Sequence, residues 1–209
     1  AGEIVGNPQR HFTSGFGPYP ERAKLMKNPV IQFLPVDFSD LPGQRSPVVD
    51  YQTVKSFLKQ YWEQMGYGKT KIEVRIPSEY LRLPKTVMEY DLASDFFVTG
   101  KPPTGTFKYA RAAIAAYDSQ IDFSDVDIIA VVPPAEVTRK QIGGFTAEAA
   151  QPGGGFNTSE KTVFNVLISA GPHAGPAEEL LNWAHETGHM FGLTDARNTK
   201  NVSQQDSSD

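Results

Sequence analysis

At 209 residues the chain is long enough for one sizeable hydrophobic core, so a single domain is expected and a small stapled scaffold is not. Hydrophobic residues make up 39% and charged residues 21%, and 24 acidic against 20 basic side chains leave a net charge of −4, which gives no electrostatic reason for nucleic acid or an anionic membrane as partner. No run approaches the roughly 18 apolar residues of a membrane span, and the absence of cysteine excludes disulfides and a thiolate nucleophile.

Residues 1–28 are rich in Gly, Pro and Asn, with Phe12, Phe16 and Tyr19 scattered among them, and read as an extended arm in which His11 is a lone loop residue. The chain begins at Ala1, with no signal-like segment, so a processed chain is expected. Val30 to Phe38 is an apolar run bounded by Pro29 and by Ser39-Asp40, a first buried strand in which Pro35 predicts an edge position or a bulge. Asp37 and Asp40 close that strand and shape its turn, with calcium ligation as the alternative. A helix starts at Ser46-Pro47, with Ser46 as N-cap, and carries Val48, Tyr51, Val54, Phe57, Leu58, Tyr61 and Met65 at three- and four-residue steps before Gly66 or Gly68 ends it.

Lys71 to Ile76 alternates polar and apolar residues, as a strand with one buried face does. Residues 77–106, with Pro84, Pro102, Pro103 and the pair Phe96-Phe97, lack a sustained period and predict an insertion of short elements over the active-site side. Phe107, Ala110, Ala113, Ile114 and Tyr117 mark a second amphipathic helix. Asp118, Asp122, Asp125 and Asp127 follow it as capping and turn residues, with a calcium site as the alternative. Asp127 to Pro134 has the continuous apolar character of a central strand covered on both faces. The Gly-rich segment 143–155 lacks a Gly-Lys-Ser/Thr signature, which leaves a loop or short hairpin and no support for nucleotide binding. Asn157-Thr158-Ser159 and Asn201-Val202-Ser203 match the glycosylation acceptor pattern, relevant only in a eukaryotic secretory pathway. Thr162 to Ser169 is a further strand, and Gly171 to Pro176 turns from it into the last helix.

That helix carries His185-Glu186-Thr187-Gly188-His189-Met190-Phe191-Gly192-Leu193-Thr194-Asp195. Residues four apart share a helix face, so His185 and His189 can offer two imidazole nitrogens to one ion, as the H-E-x-x-H pattern requires. Glu186 follows the first ligand directly, where its carboxylate reaches an activated water without becoming a ligand. Gly192 lets the chain leave the helix at positive φ. The turn brings Asp195 back as a third ligand, an ordinary turn aspartate being the alternative. Two imidazoles, one carboxylate and an open position make a catalytic zinc geometry, where a structural site is closed by four protein ligands. His173 is a weaker ligand candidate. The helix is amphipathic: Leu180, Leu181, Ala184 and Thr187 share one flank, with Trp183 and Met190 anchoring others. Glu178 and Glu179 complement the positive helix end. The polar tail, 196–209, is expected to be exposed or disordered.

In its extended form the motif resembles the zinc-binding consensus of the metzincin clan, H-E-x-x-H-x-x-G-x-x-(H/D). It has the Asp form of the immune inhibitor A family, with snapalysin-like proteases as runner-up. His185, Glu186, His189, Gly192 and Asp195 match; Leu193 also agrees, and Thr194 stands where proline is common. Val36-Asp37-Phe38-Ser39-Asp40 resembles the end of the opening strand of immune inhibitor A-like catalytic domains. The resemblance implies an α+β fold, a twisted mixed sheet with two packing helices plus a zinc-binding helix. It covers residues 29–195 as the N-terminal half of such a domain, between the arm and the tail.

It also implies a secreted zinc endopeptidase with protein or peptide substrates. His185, His189 and Asp195 would hold Zn2+, while Glu186 acts as general base and then acid. Structural Ca2+ is a second cofactor expectation. The strand before the zinc helix, Val166, Leu167, Ile168 and Ser169, would lie at the sheet edge and bind substrate main chain. The clan's methionine turn has no counterpart after Met190, so either the chain is expected to end early or another segment substitutes. The alternative function is a catalytically inactive metzincin-like module for binding or assembly. An α/β-hydrolase reading fails for want of a G-x-S-x-G elbow or a cysteine.

Overall fold

A computed structural model of the chain describes residues 28–92, 104–138, 141, 148–150, 155–169 and 176–193. The expectations for His11 and the arm up to residue 27, for Phe96-Phe97, His173, Thr194 and Asp195, and for the tail lie outside these residues.

The strands are β1 (Val30–Asp37), β2 (Glu73–Arg75), β3 (Leu81–Arg82), β4 (Ile128–Val132), β5 (Glu148–Ala150), β6 (Phe156–Asn157), β7 (Thr162–Val163) and β8 (Val166–Ile168). The helices are α1 (Pro47–Asp50), α2 (Gln52–Met65), α3 (Thr104–Tyr117) and α4 (Pro176–Met190). The main sheet runs β2-β1-β4-β8-β5, with β3 beside the far end of β1, and β6 and β7 form a separate ladder. Its pairings are parallel except β5 against β8, which is antiparallel. The α+β expectation holds at this level, as a mixed fold around a mostly parallel sheet.

The two-residue strand period divides the core. Ile31 and Phe33 of β1, Ile128, Ala130 and Val132 of β4 and Leu167 of β8 face α2 and α4. Leu34, Val36, Ile129, Val131, Val166 and Ile168 face α3 and the segment around Leu83, Val87 and Tyr90. All five residues of β4 are fully buried, as the unbroken apolar run predicts.

Two expectations are corrected here. Pro35 sits neither at an edge nor in a bulge: β1 is central, with β4 on one side and β2 and β3 on the other. It is tolerated because β2 pairs only with Val30 to Gln32 and β3 only with Val36 and Asp37. In the gap between them the Pro35 carbonyl accepts the Tyr117 hydroxyl at 2.7 Å instead of a ladder bond. The described part of the 77–106 segment also packs on the sheet face opposite α4, because Leu83, Val87, Tyr90 and Leu92 are apolar enough to be core.

The helix expected from Ser46 is interrupted at Tyr51, whose φ of −108° separates α1 from α2. The Ser46 hydroxyl accepts from Val48 N–H at 3.3 Å, the N-cap its sequence predicts. Tyr51, Val54, Leu58 and Trp62 form the buried stripe, while Val48 and Met65 are exposed.

Candidate metal centre

Helix α4 is held by the side of it that lacks histidine. Trp183, Thr187 and Met190 are completely buried, with Ala184 and Phe191 nearly so. The Trp183 ring stacks on Phe33 of β1, with centroids 5.4 Å apart and planes within 10°. Trp62 of α2 packs on Phe191 at 4.5 Å, and its indole N–H donates to the Thr187 hydroxyl at 2.8 Å. At about 100° per residue, His185 and His189 lie about 40° apart and Thr187 lies opposite both. Burying the Thr187 side therefore turns both imidazoles outward. Leu181, four residues before His185, shares the outward face and is exposed, which sets it apart from the buried Ala184 and Thr187 whose flank it is expected to share.

The C-terminal end of α4 shapes the second imidazole. Gly192 adopts φ +83°, its N–H donates to the His189 carbonyl at 3.0 Å, and Leu193 N–H donates to the Gly188 carbonyl at 3.0 Å. These are the two bonds of a Schellman cap. The cap folds the Leu193 carbonyl back over the helix end, where His189 Nδ1 donates to it at 2.8 Å. A carbonyl can only accept, so in the neutral ring the proton is on Nδ1 and Nε2 presents a lone pair. Metal-ligating histidines are oriented in this way by an outer partner.

The Nε2 atoms of His185 and His189 stand 3.1 Å apart. Two nitrogens each about 2.0–2.1 Å from a tetrahedral zinc lie about 3.3 Å apart, close to the separation seen here. The same 3.1 Å suits an imidazole N–H donating to its neighbour's lone pair, a proton that a metal would displace. Glu186 is largely shielded, its side chain 16% exposed, and its Oε1 is 3.9 Å from His185 Nε2. A carboxylate at that distance is near the metal position without occupying it. Among the described residues no group of three His, Asp or Glu side chains is gathered for a metal.

The carboxylates considered for calcium have other tasks. Asp118 accepts from Ser159 N–H and hydroxyl, at 2.8 and 2.7 Å, and Asp122 accepts from Ser124 N–H at 2.8 Å. Asp125 forms a two-bond pair with Arg75 at 2.8 Å, and Asp127 accepts from Val30 N–H at 3.0 Å. Asp37 is paired with Arg82 at 2.6 Å, and Asp40 accepts from Val87 N–H at 3.0 Å. All six thus have a turn, cap or ion-pair partner among the described residues.

The expected substrate strand is also corrected. Val166, Leu167 and Ile168 are interior to the sheet, between β4 and β5, and Ser169 is buried with its N–H donating to the Val131 carbonyl at 2.9 Å. Their backbone groups are already paired, so they offer no edge. Among the described residues the sheet ends on this side at β5, which the Gly-rich 143–155 segment concealed, and β5 lies close to α4. Sequence reading also missed Trp62 and Thr187 as a pair, since nothing local links residues 125 positions apart. Among the described residues no helix is long and apolar enough to cross a membrane. In comparisons with known proteins, no family model and no curated protein matches the chain, so its functional assignment rests on the geometry around His185, Glu186 and His189.

Proposed function

We propose that the chain is a zinc-dependent endopeptidase of metzincin type, most like the immune inhibitor A family. The observation that carries this reading is the pair of Nε2 atoms on His185 and His189, 3.1 Å apart on the open face of an anchored helix. Asp195 is the proposed third ligand. When bound there, zinc supplies Lewis-acid chemistry, activating water and polarising the scissile carbonyl.

The chain's own residues supply the rest. His185 and His189 fix the metal position, the latter through its bond to the Leu193 carbonyl. The Glu186 carboxylate takes the proton of the attacking water and passes it to the leaving amine. Protein or peptide substrates fit the sheet: β5 pairs with β8 on one side, and no described residue pairs with its other side. An extended peptide added there would lie beside α4.

Glu186→Gln tests the reading. The variant is expected to bind zinc as the wild type does and to lose at least about 100-fold in cleavage of denatured casein. Unchanged cleavage would exclude Glu186 as the base, and zinc binding without cleavage by the wild type would favour a binding module.

A further inference from the structure

We infer that the hydrogen bond from Trp62 to Thr187 sets how α4 is turned about its axis, and with it where the two imidazole nitrogens point. Trp62 and Thr187 are positioning residues for the metal pair. The inference rests on the zinc reading above.

Thr187 lies within the motif, completely buried and opposite the histidine face. A β-branched residue there is a poorer helix former than alanine, and its hydroxyl is costly to bury without partners. Both its hydrogen-bonding capacities are used. Its proton goes to the Trp183 carbonyl at 2.6 Å, one turn back in the same helix, and its oxygen accepts the Trp62 indole N–H at 2.8 Å. The first bond tells the helix nothing about its surroundings. The second ties it to α2.

Two further contacts of this face among the described residues are apolar: Trp183 on Phe33, and Trp62 on Phe191. Such contacts hold α4 down, yet they tolerate small rotations because dispersion and burial are weakly directional. A hydrogen bond is directional, and this one acts midway between the two ligands, on the opposite side of the helix. Rotation that stretches it carries both imidazoles the same way. Gly188 beside it has no side chain to resist such rotation, a Cβ there reaching Trp62 only at 3.7 Å.

The test uses cobalt(II) as the probe ion, with visible absorption reporting ligand geometry and a titration reporting affinity. Trp62→Phe keeps a ring against Phe191 and removes the N–H. Thr187→Val keeps the shape and removes the hydroxyl, whereas Thr187→Ser keeps the hydroxyl. Trp62→Phe and Thr187→Val are expected each to weaken cobalt binding roughly tenfold and to alter the spectrum, with no further loss when combined. Thr187→Ser is expected to stay within about twofold of the wild type, since it retains the same bond.

Wild-type affinity and spectrum in Trp62→Phe, even with a lower melting temperature, would overturn the inference and leave the bond as packing alone. If Thr187→Val does not fold, Trp62→Phe decides the matter. A wild-type protein that binds no cobalt would overturn the zinc reading and this inference together, whereas an unaffected variant overturns this inference only.

Discussion

His189 is oriented by one carbonyl, and that carbonyl is where it is because Gly192 can hold φ +83°. Gly192→Ala should therefore do two things. It should cost roughly 1–2 kcal/mol of stability through left-handed strain, and it should weaken zinc binding by loosening the Leu193 carbonyl over the ring. A thermal melt of the apo protein and a metal titration separate the two effects; strain without loss of affinity would remove Leu193 from the site. The 3.1 Å contact between the two imidazoles adds a second expectation. Ligation needs both Nε2 atoms as lone pairs, so the proton shared across the contact has to move to His185 Nδ1 as a metal enters. Ring nitrogen NMR of the metal-free protein reports the tautomers, and a proton on His185 Nδ1 with none on either Nε2 would contradict the shared-proton arrangement.

At the scale of the element, α4 depends on its buried side. Trp183→Ala removes a completely buried ring from its stack on Phe33, and a loss of about 3–5 kcal/mol is expected in denaturant unfolding. Gly188→Ala should go the other way, raising stability by up to about 1 kcal/mol, because a Cβ there meets Leu193 and Trp62 at ordinary contact distances of 3.6 and 3.7 Å. A destabilised Gly188→Ala would mean that the helix and Trp62 are closer than the structure has them. Much of this was legible in advance. The four-residue spacing of His185 and His189 fixes their shared face, and Gly192 announces the turn that follows. The buried stripe of α2 was legible only in part. Its aromatic flank of Phe57 and Tyr61 competes with Trp62 for the same period, and only the partner across the interface decides between them.

At the scale of the whole molecule, the apolar run of β4 shows that it is central, but the order of strands is not a local property. Val166 to Ile168 looks like an edge strand when read beside the zinc helix, and becomes interior once β5 pairs beyond it. Pro35 likewise argues against a central strand until the gap between β2 and β3 removes the need for its missing N–H. Among the described residues α4 lies on one face of the sheet, and the strand order ends at β2 on one side and at β5 on the other. The central claim is that a metal sits between His185 and His189. Elemental analysis of purified protein, never exposed to chelator, tests it most directly. About one zinc per chain is expected in the wild type, with near-complete loss in His185→Ala and reduced retention in Asp195→Ala. Folded wild-type protein without zinc, or zinc retained in full by His185→Ala, would contradict the account.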